Sequence, residues 1–197
     1  MASTIQVDKI QDTGGNTILQ SDGSGTATTT LPVGFGGTGA ATLAAAGLAN
    51  SGYFMSYRST GNESPSADTW TAYVYDTAHV NDGTAYSTST GEYTAASAGR
   101  YYFESQYWAS EIDDGEVAQI QHYFDLSSAG SFSSNTARSR SSFGFGTGTD
   151  KGFAPTVSTL VDLSAGDKIK TYAYVASGGI FANAGYNYFL GFKLIGT

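Results

Sequence analysis

Glu111, Asp113, Asp114 and Glu116 form the densest acidic group in this sequence, and clustered carboxylates are the usual ligands of calcium. Asp113, Asp114 and Glu116 are therefore the candidate metal ligands. The spacing of an EF-hand loop is missing, however, and the group surrounds Gly115 between two strand-like segments, which favours a solvated turn. His79 and His122 stand far apart, and neither belongs to an H-E-x-x-H pattern. His122 falls on an apolar face, where a satisfied core or interface role is favoured over that of a base. Serines are plentiful, but no G-x-S-x-G elbow occurs.

Gly34-Phe35-Gly36-Gly37-Thr38-Gly39 has the spelling of a dinucleotide fingerprint. That motif works only where its glycines join a strand to a full helix inside a parallel βαβ unit, and no alternating βαβ pattern is present here. Gly144-Phe145-Gly146-Thr147-Gly148 is set aside for the same reason. No catalytic residue and no cofactor is expected. Nine Lys and Arg against 17 Asp and Glu give a net charge of -8. The close basic pairs, Arg138 with Arg140 and Lys168 with Lys170, make no continuous face for phosphates. Nucleic acid is not an expected partner. Trp70, Trp108 and the tyrosine-rich stretches could stack on sugar rings, since such side chains offer a flat apolar face with a polar edge, although most are expected in the core.

These residues must be placed by strands. With 26 glycines, 14 tyrosines, 11 phenylalanines and only 3 prolines, the composition is that of many short strands joined by tight turns. Cysteine is absent, so stability has to come from packing. Met1 to Ile10 contains Asp8 and Lys9 and lacks the apolar core of a secretory signal, and no run reaches the ~18 apolar residues of a membrane span. A soluble chain made in a cytoplasm, without membrane insertion, is expected.

Residues 1–50 hold a single aromatic, Phe35, whereas every other Phe, Tyr and Trp follows Asn50. Three segments are delimited: 1–30, with short strands in Thr4–Ile10 and Thr17–Leu19 around the turn Gly14-Gly15-Asn16; 31–50, a Gly/Ala-rich linker with a short helix over its alanines; and 51–197, the domain with the core. In the last, Tyr53–Tyr57 and Trp70–Tyr75 are predicted strands, and Asn81-Asp82-Gly83 is a hairpin-type turn. Tyr101, Phe103 and Tyr107 share one strand face, as do Ala118, Ile120, His122 and Phe124. Val157 to Leu163 leads through the turn at 164–167 to Ile169–Val175. Tyr188 to Ile195, apolar apart from Lys193, is predicted to be a central strand covered on both faces. The fold class is all-β, an antiparallel sandwich of about ten strands.

Val80-Asn81-Asp82-Gly83-Thr84-Ala85-Tyr86, Thr90-Gly91-Glu92-Tyr93-Thr94-Ala95, Gly99-Arg100-Tyr101-Tyr102-Phe103, Leu163-Ser164-Ala165-Gly166-Asp167-Lys168-Ile169 and Phe189-Leu190-Gly191-Phe192-Lys193-Leu194 occur in that order. The set resembles the motifs of the complement 1q globular head and of the tumour necrosis factor superfamily. Ala96 stands where the family usually has proline, and no collagen stalk accompanies the domain. The resemblance implies a jelly roll that assembles as a homotrimer, with the complement function itself not carried over. Residues 4–18 and 33–46 resemble the N-terminal and linker segments of tailed-bacteriophage fibre proteins. Together the two resemblances imply a virion protein assembled in the host cytoplasm. Residues 1–30 would dock on other virion structural proteins, and a trimeric head would touch a host surface polysaccharide or protein through loops the sequence does not identify. The alternatives are a capsid decoration, cement or head-fibre protein, and, further off, a glycan depolymerase, for which no carboxylate pair can be named.

Overall fold

The computed structural model describes residues 9–20, 24, 52–60, 66–112, 117–126, 130–132, 139–144, 151–176, 180–181 and 186–194. The chain divides into two units, Met1–Asn50 and Ser51–Ile195. In the first, β1 (Lys9–Gln11) pairs antiparallel with β2 (Thr17–Gln20). Their turn is built on Asp12, whose carboxylate accepts from the backbone N–H of Gly14 at 2.9 Å and of Asn16 at 2.8 Å. Gly15 supplies the positive φ of 82° that the reversal needs. Ile10 stays 44% exposed. Two short strands cannot enclose an apolar side chain. The remainder of the predicted Thr4–Ile10 strand and the helix of the 31–50 linker lie outside the described residues.

The second unit is a sandwich of two antiparallel sheets, with β3 (Phe54–Tyr57), β4 (Thr71–Ala72), β5 (Thr77–Asn81), β6 (Tyr86–Ser87), β7 (Glu92–Thr94), β8 (Gly99–Gln106), β9 (Ala109–Ile112), β10 (Val117–Asp125), β11 (Ser139–Gly144), β12 (Lys151–Phe153), β13 (Thr156–Leu163), β14 (Lys168–Val175), β15 (Ile180–Phe181) and β16 (Tyr188–Lys193) in chain order. One sheet runs β11-β10-β14-β7-β6, with β4 also on β14; the other runs β13-β8-β16-β3-β5; a small third sheet, β12-β9-β15, completes the unit. Period-two alternation drives the layering. Along β8 Tyr101, Phe103 and Ser105 are buried while Tyr102, Glu104 and Gln106 are not, and β14 buries Ile169, Thr171, Ala173 and Val175.

The core between the sheets is a stack of rings. Phe54 stacks on Tyr86 at 4.8 Å and meets Phe189 edge-on at 4.8 Å, and Tyr93 meets Phe103 at 5.1 Å. Gly191 makes this possible, because a Cβ there would lie 2.3 Å from Phe103 Cδ1 and 2.8 Å from Phe54 Cε1.

Three expectations need correction. Trp70–Tyr75 is strand only at Thr71–Ala72. Beyond it the Tyr75 N–H bonds the Tyr86 hydroxyl at 3.1 Å, a side chain taking the place of a neighbouring strand. Asn81-Asp82-Gly83 does not close a hairpin: Asp82–Thr84 is a single 3-10 turn that carries the chain from β5 in one sheet to β6 in the other. Asn81 replaces the missing ladder, donating from Nδ2 to the Tyr86 carbonyl at 2.7 Å and accepting the Tyr86 N–H at 3.0 Å. The turn at 164–167 forms as read, and it too crosses between sheets, since β13 pairs with β8 and β14 with β10. Its Asp167 caps the Ser164 N–H at 2.7 Å. Finally, β16 is central but buries only Phe189 and Gly191; Tyr188, Leu190 and Phe192 face outward and stay half-exposed.

The chain comes into this unit at Gly52, which is fastened to both layers. Its N–H donates to Asp82 Oδ2 at 2.8 Å and its carbonyl accepts the Tyr93 hydroxyl at 2.9 Å. The Tyr53 carbonyl accepts the Asp82 N–H at 2.9 Å.

Candidate functional site

The outward face of the five-stranded sheet is assembled row by row. Register places Leu160, Tyr102 and Phe192 side by side; Ser158, Glu104, Leu190 and Met55 in the next row; and Thr156, Gln106, Tyr188 and Tyr57 in the one after. Residues paired across antiparallel strands share a face, so this surface is aromatic and aliphatic through its middle. Leu160 is 59% exposed, Met55 37% and Tyr57 36%. Tyr102 and Phe192 lie against each other at 5.5 Å. One end is polar, where Arg100 grips Asp162 through Nε and Nη2 at 2.8 and 3.0 Å.

One charge sits inside the apolar region. Glu104 accepts the Tyr102 hydroxyl on Oε2 at 2.5 Å and the Tyr188 hydroxyl on Oε1 at 2.6 Å. The bond to the carboxylate, and some burial, holds the Tyr102 phenol above its ordinary pKa. Burial and the same carboxylate raise that of Tyr188.

The other sheet's outer face is mixed. Trp70 lies 5.4 Å from Tyr174, Tyr123 lies 4.2 Å from Tyr172, and Tyr174 donates to Asp68 at 2.8 Å. Lys168 and Lys170, the basic pair noted in the sequence, both hold Glu92, at 3.2 and 2.9 Å. Trp108, the other tryptophan, packs 5.4 Å from Tyr186 at the end of the sandwich away from Gly52, where its backbone N–H donates to the Asn187 side-chain oxygen.

His122 is fully buried between the sheets. Nε2 lies 2.7 Å from Ser105 Oγ, and Nδ1 lies 2.8 Å from Thr159 Oγ1. Burial pushes its pKa down to about 3, so the ring is neutral and ties β10 to β8 and β13. The serine-histidine contact resembles a nucleophile with its base, yet neither group reaches solvent. This is the core role favoured by the sequence. His79 lies exposed on β5. Asp113, Asp114 and Glu116, the calcium candidates, lie outside the described residues, between β9 and β10. Among the described residues no group of three His, Cys, Asp or Glu is placed to hold a metal ion.

The sequence reads Tyr188 to Ile195 as apolar on both faces, with Leu190 and Phe192 alternating with the core residues Phe189 and Gly191; which residues of the neighbouring strands complete the outer face, Leu160, Tyr102 and Met55 among them, only the register shows.

No protein-family model matches the chain, and no curated protein matches it. Solved structures do. The tumour necrosis factor Eiger from S. frugiperda superposes with a TM-score of 0.54 at 12% identity, covering 74% of this chain and 92% of that one. The fold is a jelly roll. The globular domain of zebrafish complement 1qA protein gives a TM-score of 0.49 at 16% identity, covering 72% of this chain and 96% of that one. The jelly roll is the part of the resemblance that the structure bears out.

Proposed function

We propose that this chain is a homotrimeric, non-catalytic appendage of a tailed-phage virion, docked on the particle through residues 1–30 and touching the host cell surface with its jelly roll. The observation that carries the trimer is the apolar outer face of the five-stranded sheet. Leu160, Met55, Tyr57, Leu190 and Phe192 are held outward by register, and apolar surface of this kind on one sheet face marks an interaction site. A second copy is the natural cover, because in a closed three-fold ring this face of each protomer can meet a different patch of its neighbour and no contact is left open. The virion setting is supported by the fibre-like segments 4–18 and 33–46 and by Ile10, exposed on a hairpin too small to bury it. Three copies would bind a surface glycan or protein multivalently, so that weak single contacts add to useful avidity.

Two measurements test this. Light scattering of the full chain should return three times its mass of 20.5 kDa; a monomer at micromolar concentration would overturn the assembly. Particles lacking the protein should then lose adsorption to host cells. Intact adsorption with weakened capsids would instead assign a cement or decoration role. Release of reducing sugars from host polysaccharide would assign a depolymerase.

A further inference from the structure

Among the described residues Glu104 is the one carboxylate in the middle of the apolar sheet face, and its hydrogen-bonding is unusual for its place. Both oxygens are taken by hydroxyls of its own chain, Tyr102 from the same strand and Tyr188 from the neighbouring one, at 2.5 and 2.6 Å. The sandwich itself does not require these contacts. All three side chains point away from the ring stack of the core, which is formed by Tyr101, Phe103 and Phe189 on the same two strands. On a wetted surface the arrangement would also gain little, because water solvates a carboxylate as well as a phenol does. It gains value when water is removed, since a charge taken out of water must be met by donors or paired.

The immediate neighbours show what removes the water. Leu190 adjoins Glu104 across β16, with Met55 beyond it, and Phe192 packs on Tyr102. A cover that buries these side chains buries the carboxylate too. Because each oxygen already accepts a hydroxyl, that cover needs to bring no cation, only apolar surface, and a neighbouring copy of this chain in the closed ring supplies it.

We propose that Tyr102, Glu104 and Tyr188 form a self-contained polar lock inside the interface between copies of this chain, the carboxylate being made tolerable there by two hydroxyls of its own protomer. The lock rests on the homotrimer reading above. It makes an otherwise unselective apolar face choosy: a cationic partner finds the carboxylate occupied, and a partner that displaces either hydroxyl strands a charge.

The test is a dilution series of the full chain by analytical ultracentrifugation, with circular dichroism as the check on folding. Y102F/Y188F strands the carboxylate and is expected to raise the concentration of half-dissociation about tenfold or more. E104Q, whose amide can still accept from one hydroxyl and donate to the other, should stay within about threefold of wild type. Y102F/Y188F/E104L removes donors and charge together and should recover most of the loss, as replacing a buried polar group with all its partners by apolar ones does. A trimer that tolerates Y102F/Y188F but is weakened by E104Q overturns the lock, because the carboxylate then answers to a cation of the neighbour. A triple variant no better than the double also overturns it. Should Y102F/Y188F fail to fold, Y188F against Y188F/E104L is read in the same way. A wild-type monomer overturns the trimer itself, a result distinct from a trimer indifferent to the hydroxyls.

Discussion

His122 shows how much one buried side chain can decide. Its ring is neutral between Ser105 and Thr159 because burial lowers the pKa from 6.5 to about 3. The unfolded chain binds a proton below about pH 6.5 that the folded chain refuses. Stability is therefore fully present above that pH and falls as the pH drops from 6.5 toward 3, at about 1.4 kcal/mol per unit. Urea titrations of wild type and His122→Leu across pH 4 to 7 should show it. The variant starts lower at pH 7, by about 1–3 kcal/mol, for leaving two buried hydroxyls without their partner, but its profile is flatter by that slope. Equal slopes would mean that the histidine is not the titrating group. Gly191 is decisive for a different reason. Its missing Cβ is the space occupied by the Phe103 and Phe54 rings, so Gly191→Ala is expected to cost about 1–3 kcal/mol by overpacking, measured as a lower denaturation midpoint.

At the scale of elements, the crossings between sheets are held by side chains rather than by ladders. Asn81 offers both halves of its amide to the Tyr86 backbone. Asn81→Ala should lose about 2 kcal/mol by abandoning two partly buried backbone groups, whereas Asn81→Asp keeps the acceptor and should lose less; equal losses would show that only the donor half matters. Here lies the boundary of what the sequence discloses. Alternation made the strands legible, so that Tyr101 and Phe103 on β8, and Ile120 and His122 on β10, face inward as read. Pairing was harder, because Asn81-Asp82-Gly83 and the turn at 164–167 look the same whether a chain doubles back or crosses to the opposite layer. Trp70–Tyr75 misled in the same way, its tyrosines reaching the core from a segment that is mostly not strand. The site was less legible than the fold. Nothing in the spelling of Tyr102, Glu104 and Tyr188 ties residues 84 positions apart; only the β8–β16 register brings them together.

For the whole molecule, the trimer reading makes a selective prediction. Met55→Asp alters a side chain that is 37% exposed in the single jelly roll, so circular dichroism should change little, while sedimentation should shift from trimer to monomer and the unfolding midpoint should lose its dependence on protein concentration. Raising the salt concentration should leave the wild-type trimer intact, because its interface is apolar and screening weakens only charge-charge contacts. Dissociation at high salt would point to an ionic interface elsewhere on the molecule.

Gly52 also gives the jelly roll a mechanical character. A pull on the chain at this point, directed along β3, meets the clamp from Asp82 and Tyr93 before it reaches the strand. It then loads β3 in shear between β16 and β5, its partners on either side. Shear shares the load across a ladder instead of opening one bond at a time. Resistance to such a force is a matter of unfolding rate rather than of equilibrium stability, so Asp82→Ala should unfold faster under tension in an optical trap even where its resting stability is hardly changed.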